Sequence, residues 1–244
     1  MIIEDYAIIL SCKSFAEKGQ VITALLKNHG LCRGFFNSNK KMPDTLQRGN
    51  VFILRWKARL QTQLGSFEIV SSEKMVISAI MFSKLKLLIL NSSIDLCYML
   101  LQDRQAYKDL FLELEILLMC LLKESADAIL LKQYYIFELY LLSSLGYGLT
   151  LNRCAVSGVK EGLYYLSPKS GMAVTKIVGD PYHDLLFKIP NFFLDSYSMP
   201  TKAGLIDAMA ITKYFMQKYF QEYPKYHISV SRNALEDLTT KLII

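Results

Sequence analysis

Residues 51–61 read Val-Phe-Ile-Leu-Arg-Trp-Lys-Ala-Arg-Leu-Gln. With the two-residue period of a β-strand, Phe52, Leu54, Trp56, Ala58 and Leu60 share one face, and Arg55, Lys57, Arg59 and Gln61 the other. The chain's only tryptophan then points into an interior, while three cations stand in a row at roughly 6–7 Å spacing. Such a row matches the scale of successive phosphates on one nucleic-acid strand and would bind them by counterion release. It equally suits a solvated strand whose charges protect a sheet edge from aggregation. Neighbouring bases favour the first reading: Arg33 on the preceding strand, then Lys40, Lys41 and Arg48 in the intervening loop.

Around this strand lie others. Tyr6–Ser11, Gln20–Leu26 and Leu31–Phe36 are short apolar runs, with Asn28-His29-Gly30 a turn between the last two. A polar loop from Asn37 to Asn50 leads to a long strand over Val51–Gln63, and Gly65-Ser66 turns into a fifth over Phe67–Ser71. Five short strands in residues 1–75 predict a small closed barrel of the OB type, although an SH3-like barrel fits nearly as well. A basic groove on an OB barrel is a common single-strand site. Phe35 and Phe36 are adjacent, so one of them faces outward, either as a base platform or as a cover for the barrel end.

From Val76 the period becomes helical, over Val76–Leu90, Ile94–Gln102, Tyr107–Lys123 and Ala126–Leu145, with Gly146 as the expected C-terminal stop. Residues 154–202 read as an irregular insert. Helices over Lys202–Tyr223 and Ser231–Leu242 follow, the second capped by Ser231. The fold class expected is α+β, with an OB domain over 1–75 and a mainly helical domain over 76–244.

Charge divides in the same way. Residues 1–75 carry 11 Lys and Arg against 6 Asp and Glu, residues 76–150 carry 6 against 8, and residues 151–244 carry 11 against 8. The chain of 244 residues is 52% hydrophobic, with net charge +6 and mean hydropathy +0.23, which excludes disorder. A membrane span is not expected, because the longest uncharged run, Leu139 to Asn152, has fourteen residues and includes two glycines. Acids at the N-terminus do not suit a signal peptide. Five scattered cysteines without a C-x-x-C pair argue against disulfides and a four-cysteine zinc site. A cytoplasmic protein is expected.

Catalytic constellations are missing from the sequence. His29, His183 and His227 have no metal spacing, and no nucleophile motif accompanies His183-Asp184. No phosphate-cradling glycine loop or nucleophile elbow occurs. The carboxylate pairs Glu113/Glu115 and Glu236/Asp237 lie on helices that look structural or solvated. The expectation is a non-enzymatic protein with no cofactor.

Ala7-Ile8-Ile9-Leu10, Ala16-Glu17-Lys18, Leu25 through Gly34, and Leu46-Gln47 before the Val51 strand, together with the stretches that follow, resemble the RecO family of bacterial recombination mediators, with Arg48 where proline is usual. Further on, Phe137-Glu138-Leu139 leads to Gly146-Tyr147-Gly148-Leu149 and then Cys154-Ala155-Val156. The run Tyr165 to Gly171 is similar to a segment of alphaproteobacterial members, and Ser231-Arg232 to a late family motif.

The resemblance implies a RecF-pathway mediator. Such a protein binds single- and double-stranded DNA, anneals complementary strands and helps load recombinase onto DNA coated by single-strand-binding protein. It implies a RecR-type ring and the acidic-hydrophobic tail of single-strand-binding protein as partners, and association with the nucleoid during repair. Two departures stand out. Many members hold zinc through cysteines after the Gly-Tyr-Gly segment, whereas here Cys154 is the last cysteine and Ser157 sits where a partner would be, so no zinc is expected. Arginines found before Phe-Glu-Leu in some relatives are replaced by Tyr135 and Ile136, with Lys132 the nearest base.

The expected DNA contacts are Arg33, Lys40, Lys41, Arg48, Arg55, Lys57 and Arg59. Lys132 and Arg232 are expected to frame an apolar groove for the partner tail. The competing readings are a protein-only adaptor of the recombination machinery and an RNA-binding OB protein.

Overall fold

The computed structural model describes residues 1–15, 19–37, 45–59, 64–123 and 126–243. Five strands close a barrel: β1 (Ile2–Phe15), β2 (Gly19–Leu26), β3 (Gly30–Asn37), β4 (Val51–Lys57) and β5 (Gly65–Lys74). They follow the order β1-β2-β3-β5-β4, and β4 pairs back onto β1. The β3–β5 pair is parallel and the others are antiparallel. This is the OB arrangement, and it decides against an SH3-like barrel.

β1 serves two neighbours, pairing with β4 over residues 2–8 and with β2 over 7–15. Its register slips at Leu10, between Ile9↔Ala24 and Ser11↔Thr23. One extra residue bends the strand and reverses which face each later side chain occupies. Ala7 and Ile9 point inward before the bulge; Cys12 packs against the core after it.

The interior collects Ile22, Ala24, Leu26, Phe36, Phe52, Leu54, Trp56 and Phe67. As expected from residues 51–61, Phe52, Leu54 and Trp56 are fully buried. Trp56 Nε1 donates to the Arg33 carbonyl at 3.0 Å, and the Arg104 guanidinium lies 4.1 Å from its ring centre. The parallel closure depends on two glycines. A Cβ on Gly34 would meet the Gly65 carbonyl oxygen at 2.9 Å, and one on Gly65 would fall 2.2 Å from the Trp56 ring.

β4 ends at Lys57, short of the expected Gln63, and Ala58 N–H donates to the Met1 carbonyl at 3.1 Å. Arg59 therefore lies beyond the strand. Positions 60–63 are outside the described residues.

Three helices follow: α1 (Val76–Ile80), α2 (Lys84–Leu100) and α3 (Lys108–Leu122). The helix break expected at Asn91-Ser92-Ser93 falls instead at 81–83, where Ser83 Oγ accepts from Lys86 N. Ser93 stays helical by donating to the Ile89 carbonyl at 2.8 Å. Lys74 donates to Glu115 of α3 at 2.7 Å, and Arg48 pairs with Asp95 of α2. Secondary structure changes at 75/76 as expected. The chain nonetheless divides into compact units Met1–Glu124 and Ser125–Ile244, with α1–α3 in the unit that contains the barrel.

The second unit begins with α4 (Asp127–Ser144), and Gly146 then takes a left-handed φ of 86° where the sequence places the stop. A three-stranded sheet, in the order β7-β6-β8, comprises β6 (Leu163–Leu166), β7 (Ala173–Thr175) and β8 (Phe187–Lys188). Short helices α5 (Lys176–Gly179) and α6 (Asn191–Leu194) and a 3-10 helix over Asp180–Leu185 also lie in the irregular span. α7 (Lys202–Glu222) and α8 (Val230–Ile243) complete the unit. α8 starts one residue before the expected cap, and Ser229 Oγ, rather than Ser231, accepts from Arg232 N at 3.2 Å. Among the described residues no helix is long and apolar enough to cross a membrane.

Candidate nucleic-acid interface

The bulge at Leu10 turns Ser11, Lys13 and Phe15 to the outside of the barrel. Cross-strand partners then form a continuous outward belt: Lys13↔Val21, Val21↔Phe35, Phe35↔Ser66 and Ser66↔Lys57. The belt runs perpendicular to the strands over four inter-strand spacings of about 4.8 Å. A lysine stands at each end and an aromatic ring near the middle.

Phe36 is buried in the core, so Phe35 is the outward member of that pair. Its ring meets Phe15 edge-to-face at 5.2 Å, and Phe15 is 55% exposed. Two phenyl rings held open to water beside cations form a surface on which a nucleobase can stack. Phe15 and Lys13 were not legible as site residues. Simple alternation from Ala7 and Ile9 would place both inside, and only the bulge brings them out.

The expected cations occupy different settings. Arg33 lies outward on β3 and makes an exposed pair with Asp103 at 3.4 Å. Arg55 donates to Glu4 of β1 at 2.8 Å and to Glu68 of β5 at 3.4 Å; Lys57 reaches the same Glu68 at 3.3 Å. The hydrogen bonds that Arg55 donates to the Glu4 carboxylate hold its guanidinium above the ordinary range, and Lys57 holds the Glu68 carboxyl below its own. The row read from the sequence is thus a mixed ladder, two bases against two acids.

Arg48 is committed internally: besides Asp95, its Nε donates to the Leu10 carbonyl at 3.1 Å. Arg59 is exposed. Lys40 and Lys41 lie outside the described residues. Exposed pairs such as Arg33–Asp103 and Lys57–Glu68 add little to stability, so a phosphate can displace either acid at small cost.

Lys132 and Arg232 do not frame a groove. Arg232 is 2% exposed, its Nε donating to Glu138 at 2.8 Å and its Nη2 to the same carboxylate at 3.2 Å. Against the cost of burial, the Glu138 carboxylate holds this guanidinium well above its ordinary range. Lys132 donates to the carbonyls of Ser196 and, at 2.9 Å, Ser198. The recess beside Arg232, lined by Tyr134, Tyr135, Met209 and Leu235, leaves no room even for a water-sized occupant. The tail-binding expectation is corrected at Arg232, because an arginine at the start of an amphipathic helix gave no sign of its buried partner on α4.

At the position where zinc ligands are usual, Cys154 is buried, and the chain folds back on it through Gly158 N–H to the Cys154 carbonyl at 3.0 Å. Although burial opposes ionisation, hydrogen bonds from the Ser157 hydroxyl and nearby backbone N–H groups bring the Cys154 thiol down to about 6. One thiolate beside a serine does not make a tetrahedral donor set. Among the described residues no three His, Cys, Asp or Glu side chains converge on a metal position.

Fold and surface together define the class: an OB-barrel protein with a second, helix-rich unit and an aromatic-basic belt across the barrel. Residues 84–228 match the family described as recombination protein O, C terminal. A DNA repair protein RecO of Rickettsia canadensis (strain McKiel) is 36% identical over 222 residues, 90% of this chain and 89% of that protein. The RecO proteins of Rickettsia bellii (strain OSU 85-389) and Rickettsia peacockii (strain Rustic) are 36% and 35% identical, each over 90% of this chain and 89% and 91% of their own lengths. This chain belongs to the RecO family.

Proposed function

We propose that this chain is a non-enzymatic recombination mediator in DNA repair. It binds single- and double-stranded DNA through the barrel, anneals complementary strands and helps load recombinase onto DNA coated by single-strand-binding protein. Its partners in this reading are a RecR-type ring and the tail of single-strand-binding protein. The names of the relatives support the repair role. The observation that carries the DNA-binding step is the outward belt Lys13-Val21-Phe35-Ser66-Lys57 with Phe15 against Phe35.

In this reading a single strand crosses the barrel along the belt. Phe15 and Phe35 stack bases, Lys13, Arg33, Lys57 and Arg59 take phosphates, and Lys40 and Lys41 add charge from the β3–β4 loop. Arg48 and Arg55 act mainly through the acids they already hold. None of these activities needs a reacting side chain, which agrees with the lack of a catalytic constellation in the sequence.

The test is fluorescence anisotropy of a short single strand with the Lys13→Gln/Lys57→Gln double variant. The expected result is weaker binding and a shallower salt slope, with thermal unfolding little changed, because the Lys57–Glu68 pair is exposed. An unaltered slope would remove both lysines from the interface. A protein-only adaptor is the second reading, favoured by the acids that pair with Arg55 and Lys57 on the barrel and by the exposed Val156, Ile177, Leu185 and Met199 of the second unit. It predicts no salt-dependent DNA binding. Competition between DNA and RNA oligomers of one sequence separates the RNA-binding reading.

A further inference from the structure

On the small sheet of the second unit, two lysines converge on one aromatic ring. Lys176, the first residue of α5, places Nζ 5.5 Å from the ring centre of Tyr164 on β6; Lys188 on β8 places its Nζ at 5.2 Å. Both lysines are exposed and Tyr164 is half-exposed. The ring is braced edge-on by Tyr165 at 4.8 Å, whose hydroxyl donates to Asp180 at 2.9 Å.

Among the described residues neither lysine makes an ion pair, whereas Arg33, Arg48, Arg55 and Lys57 of the barrel all do. A π face attracts a cation without neutralising it, so two like charges gathered at one ring leave positive potential for an anion. A hydrogen bond from Lys188 to the Tyr164 hydroxyl holds the ammonium above its ordinary range, with a smaller contribution from the Asp207 carboxylate of α7. That carboxyl is partly buried, and burial pushes it above its ordinary range against the pull of Lys188. Residues 151–190 as a whole carry five bases against three acids.

An aromatic ring flanked by unpaired cations is the combination that holds single strands, the ring taking a base and the ammonium groups taking phosphates. We propose that Tyr164, Lys176 and Lys188 form a second contact for single-stranded nucleic acid, separate from the barrel belt. The inference rests on the reading of this chain as a nucleic-acid-binding protein, but not on the belt.

The experiment uses the full chain, a short fluorescent DNA single strand and its RNA counterpart, titrated across a salt series. The Lys176→Gln/Lys188→Gln variant should bind more weakly, with the slope of log affinity against log salt reduced by about 1.4, since each phosphate contact on a single strand contributes about 0.7. The Lys176→Arg/Lys188→Arg variant should keep the wild-type slope. Tyr164→Leu should weaken binding about fivefold at every salt concentration and leave the slope alone. Losses should be equal on DNA and RNA, because neither the ring nor the lysines read the sugar; a loss confined to one of them overturns the phosphate assignment.

A Phe15→Ala/Phe35→Ala variant runs in parallel. If it weakens binding while the glutamine pair changes neither affinity nor slope, the second contact is overturned and the belt stands. If the glutamine pair weakens binding and the barrel variant does not, the belt fails and the second contact stands. A folded wild-type chain that binds neither strand overturns both.

Discussion

A Cβ on Gly65 would sit 2.2 Å from the Trp56 indole, on the line where β3 and β5 close the barrel. Gly65→Ala must displace a fully buried ring, and overpacking of this kind costs about 1–3 kcal/mol. The expected outcome is a lower melting temperature with altered tryptophan emission, since Trp56 is the chain's only tryptophan. Wild-type stability would contradict this account of the closure. In the second unit, Arg232 and Glu138 join α8 to α4 through a buried pair. Arg232→Ala leaves the carboxylate buried and unpaired, which costs about 3–5 kcal/mol, whereas replacing both partners by apolar residues costs much less. Chemical denaturation of Arg232→Ala beside Arg232→Met/Glu138→Leu measures the difference, and equal losses would mean that the pair is not what Arg232 supplies. The sequence allowed no distinction between an arginine serving a ligand and one serving the core, because the partner lies 94 positions away.

Among the elements, the strand over residues 51–57 was legible because its inward face is uninterrupted and apolar. Its end was not: the alternation continues to Gln61, but pairing with β1 stops at Lys57 opposite Ile2, where β1 begins. β1 is the reverse case. Its residues alternate only if Leu10 is skipped, so the sequence supported a strand to Ser11 and concealed the outward Lys13 and Phe15. α2 passes through Asn91-Ser92-Ser93, a breaker by composition, because buried Ser93 returns its hydroxyl to the backbone. The functional consequence lies in β1 and β3. Phe15→Ala/Phe35→Ala should lower single-strand affinity by about 1–3 kcal/mol for each base that stacks, with no change in salt slope, since no charge is removed. Unchanged affinity in anisotropy titrations would leave the two rings as a cover over the barrel end.

At the level of the whole molecule, most of the architecture could be read from the change of period near residue 75 and from the breakers around it. The compact units could not, since three helices read as the start of the 76–244 helical domain fall in the unit of the barrel, tied to it by Lys74–Glu115 and Arg48–Asp95. The cation row was legible as charge but not as net charge, because Glu4 and Glu68 come from strands on either side of β4. Family membership supports a role in DNA repair. The central claim is that the chain binds single-stranded nucleic acid chiefly through its phosphates, and the most direct test is the anisotropy of a fluorescent single strand with the full chain across a salt series. The account predicts affinity that falls as salt rises, with log affinity linear in log salt and little dependence on base sequence. Flat anisotropy at low salt, from protein whose folding is verified by its melting transition, would contradict it.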